Sequence, residues 1–140
     1  RRKAEVSRRS LALRRPSPED AVDVLSAVGG FELGQIAGFI CRASELGLAI
    51  ILDGFPCCAG ALLARTLSSS ALDTAFFGHR SAEKGHSALL EILGGHPILE
   101  LGMRLGEGTG AALVMGILDA AVRIYNEMAT FSEARVSIGQ

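Results

Sequence analysis

Gly47-Leu-Ala-Ile-Ile-Leu52-Asp53-Gly54 is the stretch whose reading decides the fold. Leu48 to Leu52 form a short, continuous apolar run closed by Gly47 on one side and Asp53-Gly54 on the other, which is the signature of a buried strand. Helical patterns flank it. Upstream, Glu32 to Leu46 reads as an apolar helix ended by Gly47, in the position where helices prefer glycine. Downstream, Cys57 to Leu67 reads as another.

Further out, Ser17-Pro18-Glu19-Asp20 reads as a helix start, with Ser17 as cap, Pro18 at the first helical position and acids in the first turn. That helix extends to about Val28, where Gly29-Gly30 stops it. Thr74 to Phe77 is a second strand running into Gly78-His79-Arg80-Ser81, and Lys84 to Leu93 is a helix. Pro97 to Leu101 is a weaker extended candidate. The last helix spans Thr109 to Met128; its apolar run from Ala111 to Leu118 reads as buried, and its charges, Asp119, Arg123 and Glu127, fall on one stripe that leaves the other faces for burial. Strands alternating with helices predict an α/β fold with a parallel sheet covered on both faces.

At 140 residues, with 49% hydrophobic and 21% charged, the chain suits one core. A net charge of −1 argues against non-specific nucleic-acid binding, which needs a basic surplus. Arg1, Arg2, Lys3, Arg8, Arg9, Arg14 and Arg15 do crowd the beginning, and a solvated helix face is favoured there over a basic arm. No run reaches the ~18 apolar residues of a membrane span, and no signal peptide is visible, so a soluble, cytoplasmic protein is expected. Three cysteines, two of them adjacent (Cys57 and Cys58), do not suggest a disulfide framework. Arg1-Arg-Lys-Ala-Glu-Val resembles the middle of a helix, so a fragment is expected.

Parallel sheets bind ligands beyond the carboxyl ends of their strands. Asp53, the segment from His79 to Glu83, and Glu107 all stand at such ends and are expected to face one crevice. His79 and Arg80 thereby join Asp53 as substrate-binding candidates, although each histidine taken alone (His79, His86, His96) reads as structural. Ser81 sits between strand and helix, where it can hold an anion such as phosphate or serve as a plain helix cap.

Gly106-Glu-Gly-Thr-Gly-Ala111 places a carboxylate between glycines at a helix start. It matches a dinucleotide fingerprint formally, but no second strand with a terminal acid follows, and Glu107 would set a negative charge against pyrophosphate. The P-loop lysine is missing, the histidines and cysteines have no metal spacing, and no nucleophilic triad presents itself.

Five blocks in order carry a resemblance: Val28-Gly-Gly-Phe-Glu32, Ile51-Leu-Asp-Gly-Phe55, Gly78-His-Arg-Ser-Ala-Glu83 with Gly85-His86, Leu101-Gly-Met-Arg-Leu-Gly-Glu-Gly-Thr-Gly-Ala-Ala112, and Glu127-Met-Ala-Thr-Phe131. Together they resemble the C-terminal part of nicotinate-nucleotide:dimethylbenzimidazole phosphoribosyltransferase. The resemblance implies a three-layer, Rossmann-like α/β fold, with residues 1–140 as the C-terminal part of a phosphoribosyltransferase domain whose long N-terminal portion would lie before Arg1. It implies transfer of phosphoribose from nicotinate mononucleotide to 5,6-dimethylbenzimidazole for the cobalamin lower ligand, in a homodimer with no metal and no cofactor. Neither nucleic acid nor membrane is expected as a partner.

By the same resemblance Glu107 is the catalytic base, Ser81 lies near the substrate phosphate, and Lys3 matches a phosphate-binding lysine. Gly106, Gly108 and Thr109 are then substrate-binding residues. Arg135 stands where glycine is expected, and the family's Gly-Glu-Met-Gly segment is not among these residues. Two alternatives stay open: the same fold with another acceptor base, or a truncated binding domain without turnover.

Overall fold

A computed structural model describes residues 2–136, the Lys3 side chain excepted. Its elements run α1 (Arg2–Arg14), α2 (Ala21–Val28), α3 (Phe31–Glu45), β1 (Ile50–Leu52), α4 (Phe55–Leu67), β2 (Ala75–Phe77), α5 (His86–Leu93) and α6 (Thr109–Glu127). This is an α/β arrangement in which helices surround a small parallel sheet.

β1 and β2 pair in parallel with Ile50 opposite Ala75 and Leu52 opposite Phe77. The extended candidate at Pro97–Leu101 continues the sheet beside β2: Ile98 N–H donates to Phe77 O at 2.9 Å, Leu99 N–H to Gly78 O at 3.0 Å, and Arg80 N–H to Leu99 O at 2.8 Å. The chain thus visits three neighbouring extended segments in sequence order, with α4 and α5 as crossovers. All three point their carboxyl ends the same way, as parallel strands must.

The strand begins later than the apolar run does. Gly47 takes φ +66°, Gly47 N–H donates to Ser44 O, and Leu48 N–H reaches back to Ala43 O, so Leu48 completes the glycine-terminated end of α3 and only Ile50–Leu52 are left to pair. Helix α3 turns Ala37, Ile40 and Ala43 inward, a three-residue spacing that keeps them on one helical face. Opposite it, α4 buries Cys58, Gly60, Ala61 and Ala64. These small side chains let the two helices pack closely; a methyl on Gly60 would strike Ile36. Ile50, Leu52, Ala71, Leu89, Leu90 and Leu93 complete the core.

Two expectations are corrected. Ser17 does not cap α2: the helix starts at Ala21, with the Asp20 carboxylate accepting from Val22 N–H at 2.9 Å and Asp23 N–H at 3.1 Å. Ser17-Pro18-Glu19-Asp20 is instead a turn closed by Asp20 N–H to Ser17 O, and proline's fixed φ suits its second position. Nor is the start of α6 deeply buried. Gly110 and Val114 face inward, but Leu113, Met115 and Ile117 are exposed, because β1 is the element that α6 packs against and the described residues supply no other cover.

Helix α1 lies against α2, and its described side chains are exposed apart from a half-buried Ser10, with an Arg8–Glu5 ion pair one turn apart at 2.7 Å. Arg2, Arg8, Arg9 and Arg14 of the basic beginning therefore sit on a solvated helix. Among the described residues no helix is long and apolar enough to cross a membrane.

Candidate active site

The loops after the three extended segments meet around a cavity of about 230 Å³. Asp53 comes from the first loop and Phe55 from the start of α4 directly after it, His79, Ser81 and Glu83 from the second loop, and Arg104 and Gly106 from the third. A larger groove of about 670 Å³ between α2 and α3 contains no titratable side chain, so reactive groups converge in the smaller space.

Asp53 leaves the end of β1 and spans the crevice. Its Oδ1 accepts the Ala111 N–H at 2.9 Å, taking up one of the free amides in the first turn of α6. The neighbouring cap residue, Gly108, has no side chain to do this. His79, only 4% exposed, stands 3.8 Å from the same oxygen through Nδ1, which has no hydrogen-bond partner among the described residues. A methyl on Gly110 would run into the His79 ring, and one on Gly54 would lie 3.0 Å from Cε1, so two glycines make room for the imidazole.

Ahead of α6 the backbone turns through three consecutive left-handed residues: Gly106 at φ +77°, Glu107 at +56° and Gly108 at +77°. For glycine that conformation is free of steric cost, whereas for glutamate it is uncommon and strained. The Glu107 carboxylate is exposed, one residue beyond the cavity wall at Gly106, and accepts no hydrogen bond from the described residues. It does not cap α6. Thr109 turns its Oγ1 back to Gly106 O at 2.8 Å and so braces the loop. A strained, unpartnered carboxylate with a positive helix end behind it is suited to accepting a proton from something that enters the crevice.

Ser81 is 8% exposed and lies five residues before α5, so it caps no helix. Its Oγ accepts the Glu83 N–H at 3.3 Å, which leaves the hydroxyl proton free to donate into the cavity. The Ser81 N–H donates to His86 Nδ1 at 2.9 Å. Since that nitrogen is an acceptor, the ring proton belongs on Nε2, 3.3 Å from Cys58 Sγ. Burial, together with the nearby His79 and Arg80, lowers the His86 pKa and keeps the ring neutral. The Cys58 thiol is pushed up to about 12, mainly by burial and further by Cys57 and Asp53.

Not every candidate reaches the cavity. Strand alternation turns Arg80 the other way, with Nη1 3.2 Å from Ser87 Oγ and Nε 3.2 Å from Glu100 Oε1. Lys3 lies on α1, and its side chain falls outside the described residues. Sequence reasoning missed Arg104, whose position on the cavity wall depends on the path of the third loop, and the Cys58–His86–Ser81 chain, whose members are 28 and 5 residues apart. The spacing of Ser81 to His86, quoted as part of one block, was the available signal for the latter.

A family model for the phosphoribosyltransferase family DBI_PRT matches residues 1–136. Nicotinate-nucleotide--dimethylbenzimidazole phosphoribosyltransferase of Syntrophobacter fumaroxidans is 49% identical over 136 residues, covering 97% of this chain and 38% of the relative. The protein of the same name from Desulforamulus reducens is 50% identical over 137 residues, covering 98% and 39%. The crystal structure of CobT from Thermus thermophilus superimposes with a TM-score of 0.85 at 50% identity, over 94% of this chain and 39% of that one. The chain thus spans about two-fifths of the length of the relatives it matches. With a match over residues 1–136 and the fold shared, the chain belongs to the DBI_PRT phosphoribosyltransferase family.

Proposed function

We propose that this chain supplies the catalytic base and part of the phosphate pocket of a nicotinate-nucleotide:dimethylbenzimidazole phosphoribosyltransferase. The acceptor imidazole attacks ribose C1′ of nicotinate mononucleotide through one nitrogen. The C1′ bond to the pyridinium nitrogen breaks, its electron pair neutralises the pyridinium, and nicotinate leaves. The proton on the other imidazole nitrogen passes to the Glu107 carboxylate, and the product is α-ribazole 5′-phosphate. Because the leaving group is cationic before it departs, the reaction calls for a base and anion contacts rather than a strong acid.

The observation that carries this reading is Glu107 itself: a left-handed carboxylate between glycines, without a hydrogen-bond partner among the described residues and next in sequence to the cavity wall at Gly106. The Ser81 hydroxyl, with its proton free, supports a phosphate contact, and Gly106, Gly108 and Thr109 shape the approach to the base. Arg104 on the wall supports anion binding as well. Lys3 belongs to the same proposal as a second phosphate cation. The roles of His79 and Asp53 in it are to shape the pocket wall rather than to carry charge to the substrate. Arg80, turned toward Glu100, is left out.

At about 230 Å³ the cavity is smaller than the roughly 300–1,000 Å³ of typical ligand pockets. That supports a site completed by further polypeptide of the family, as do the exposed apolar residues Ile117, Val122, Ile124 and Tyr125 on α6. A homodimer and a cytoplasmic setting are part of the reading.

The test uses a protein of the family's full length, made by exchanging this chain for the matching segment of the Thermus relative. Offered nicotinate mononucleotide with dimethylbenzimidazole, adenine or a phenol side by side, it should release nicotinate fastest with dimethylbenzimidazole. Preference for another acceptor would move the assignment to the same fold with a different base, and binding without release would make this a non-catalytic domain.

A further inference from the structure

His86 is fully buried, yet one of its two ring nitrogens is directed at a residue of the candidate site. Nδ1 accepts the Ser81 N–H at 2.9 Å, Nε2 faces Cys58 Sγ on α4 at 3.3 Å, and the ring lies 6.0 Å from Phe55, tilted by 52°. Ser81 and Phe55 are both cavity walls, one on the second loop and the other at the start of α4. A plain core residue at this place would be leucine-like; an imidazole here costs desolvation and is retained with both nitrogens matched.

We infer that His86 is a positioning residue that fixes the backbone of Ser81, and through it the direction of the Ser81 hydroxyl, so that the second loop receives the phosphate of the donor substrate. The inference rests on the proposed reading of Ser81 as a phosphate contact. With its amide held by His86, Ser81 cannot rotate its peptide plane toward the cavity, and the Glu83 N–H then fixes the hydroxyl from the other side. Cys58 anchors the far edge of the ring to α4, which makes the orientation of the loop a property of the core.

The experiment compares three variants in the full-length protein, reading kcat and KM separately for each substrate. His86→Gln keeps a polar group toward Cys58 but loses the acceptor for Ser81. His86→Asn sets an oxygen near the place of Nδ1 and keeps that acceptor. Ser81→Ala removes the hydroxyl. Loss of one hydrogen bond to a charged ligand corresponds to about tenfold or more in affinity. His86→Gln should therefore raise KM for nicotinate mononucleotide about tenfold while the KM for dimethylbenzimidazole stays within about twofold. His86→Asn should bring the mononucleotide KM back to within about threefold of the starting protein, and His86→Gln should add little in a Ser81→Ala background.

Equal damage by Gln and Asn, or a parallel rise in KM for both substrates, would assign His86 to packing and overturn the inference. Should His86→Gln not fold, His86→Asn decides alone: a mononucleotide KM raised tenfold there contradicts the inference. If Ser81→Ala leaves the mononucleotide KM unchanged, the phosphate reading of Ser81 falls and takes the inference with it. If Ser81→Ala raises it and His86→Gln does not, only the inference falls.

Discussion

The Asp53 carboxylate accepts the Ala111 N–H at 2.9 Å across a sequence separation of 58, tying the end of β1 to the first turn of α6. This bond holds the helix that carries the Glu107 loop against the strand that opens the crevice.

The first prediction concerns that tie. A hydrogen bond to a charged group contributes about 1.5–3 kcal/mol. Asp53→Ala in the full-length protein should lower stability by about that amount, whereas Asp53→Asn, which keeps an acceptor, should lose about half as much or less. Denaturant midpoints measure this. Equal losses for both variants would mean that the Ala111 N–H is satisfied some other way.

Two glycines of α6 should respond in opposite directions. Alanine is favoured over glycine in a helix interior by about 0.8–1 kcal/mol, and no described residue lies within reach of a methyl on Gly116, so Gly116→Ala in this chain should stabilise by roughly that much. Gly110 abuts the His79 ring, and overpacking costs about 1–3 kcal/mol, so Gly110→Ala should destabilise despite the same propensity gain. The melting temperatures should move apart. Two upward shifts would show that His79 has room to yield.

Cys58 should be inert in the native protein. Its thiol pKa, raised to about 12 by burial, leaves almost no thiolate at pH 8, and the side chain is 1% exposed. Native iodoacetamide treatment at pH 8 should label the half-buried Cys41 and Cys57 ahead of Cys58, with Cys58 modified only after unfolding. Rapid native labelling of Cys58, read by peptide mass spectrometry, would contradict the buried Cys58–His86 pair.

Much of this geometry was legible because it follows from local chemistry. Leu48–Leu52 between glycine and Asp53-Gly54 announces a strand, and parallel strands send their carboxyl ends to one side, which is why Asp53, the His79–Glu83 segment and Glu107 are expected at one crevice; Asp53, His79, Ser81 and Glu83 line it, and Glu107 stands one residue beyond its wall at Gly106. The glycines around Glu107 are visible in the sequence as residues that permit a sharp turn, and the backbone takes a left-handed one there. What stayed hidden depends on partners distant in sequence. Asp20 displaced Ser17 as cap because its carboxylate reaches two amides, a competition that composition alone does not decide. Arg80 and Ser81 are adjacent but face opposite ways, which needs the strand register. The apolar faces of α6 look like core by periodicity, and only the packing reveals that most of them meet nothing among the described residues. His86 and Cys58 find each other across 28 positions with no spacing rule to announce it.

The central claim is that Glu107 takes the imidazole proton, and nicotinate release by Glu107→Gln in the full-length protein tests it most directly. Glutamine keeps the size of the side chain but cannot accept the proton, and a positioned general base contributes about 10²–10⁴ in rate, or roughly 3–5 kcal/mol. The account predicts a kcat lowered by about that factor, with mononucleotide KM and melting temperature nearly unchanged, since the Glu107 side chain makes no hydrogen bond to the described residues. A kcat within about threefold of the parent protein would contradict it, because an effect that small is far below what a general base supplies.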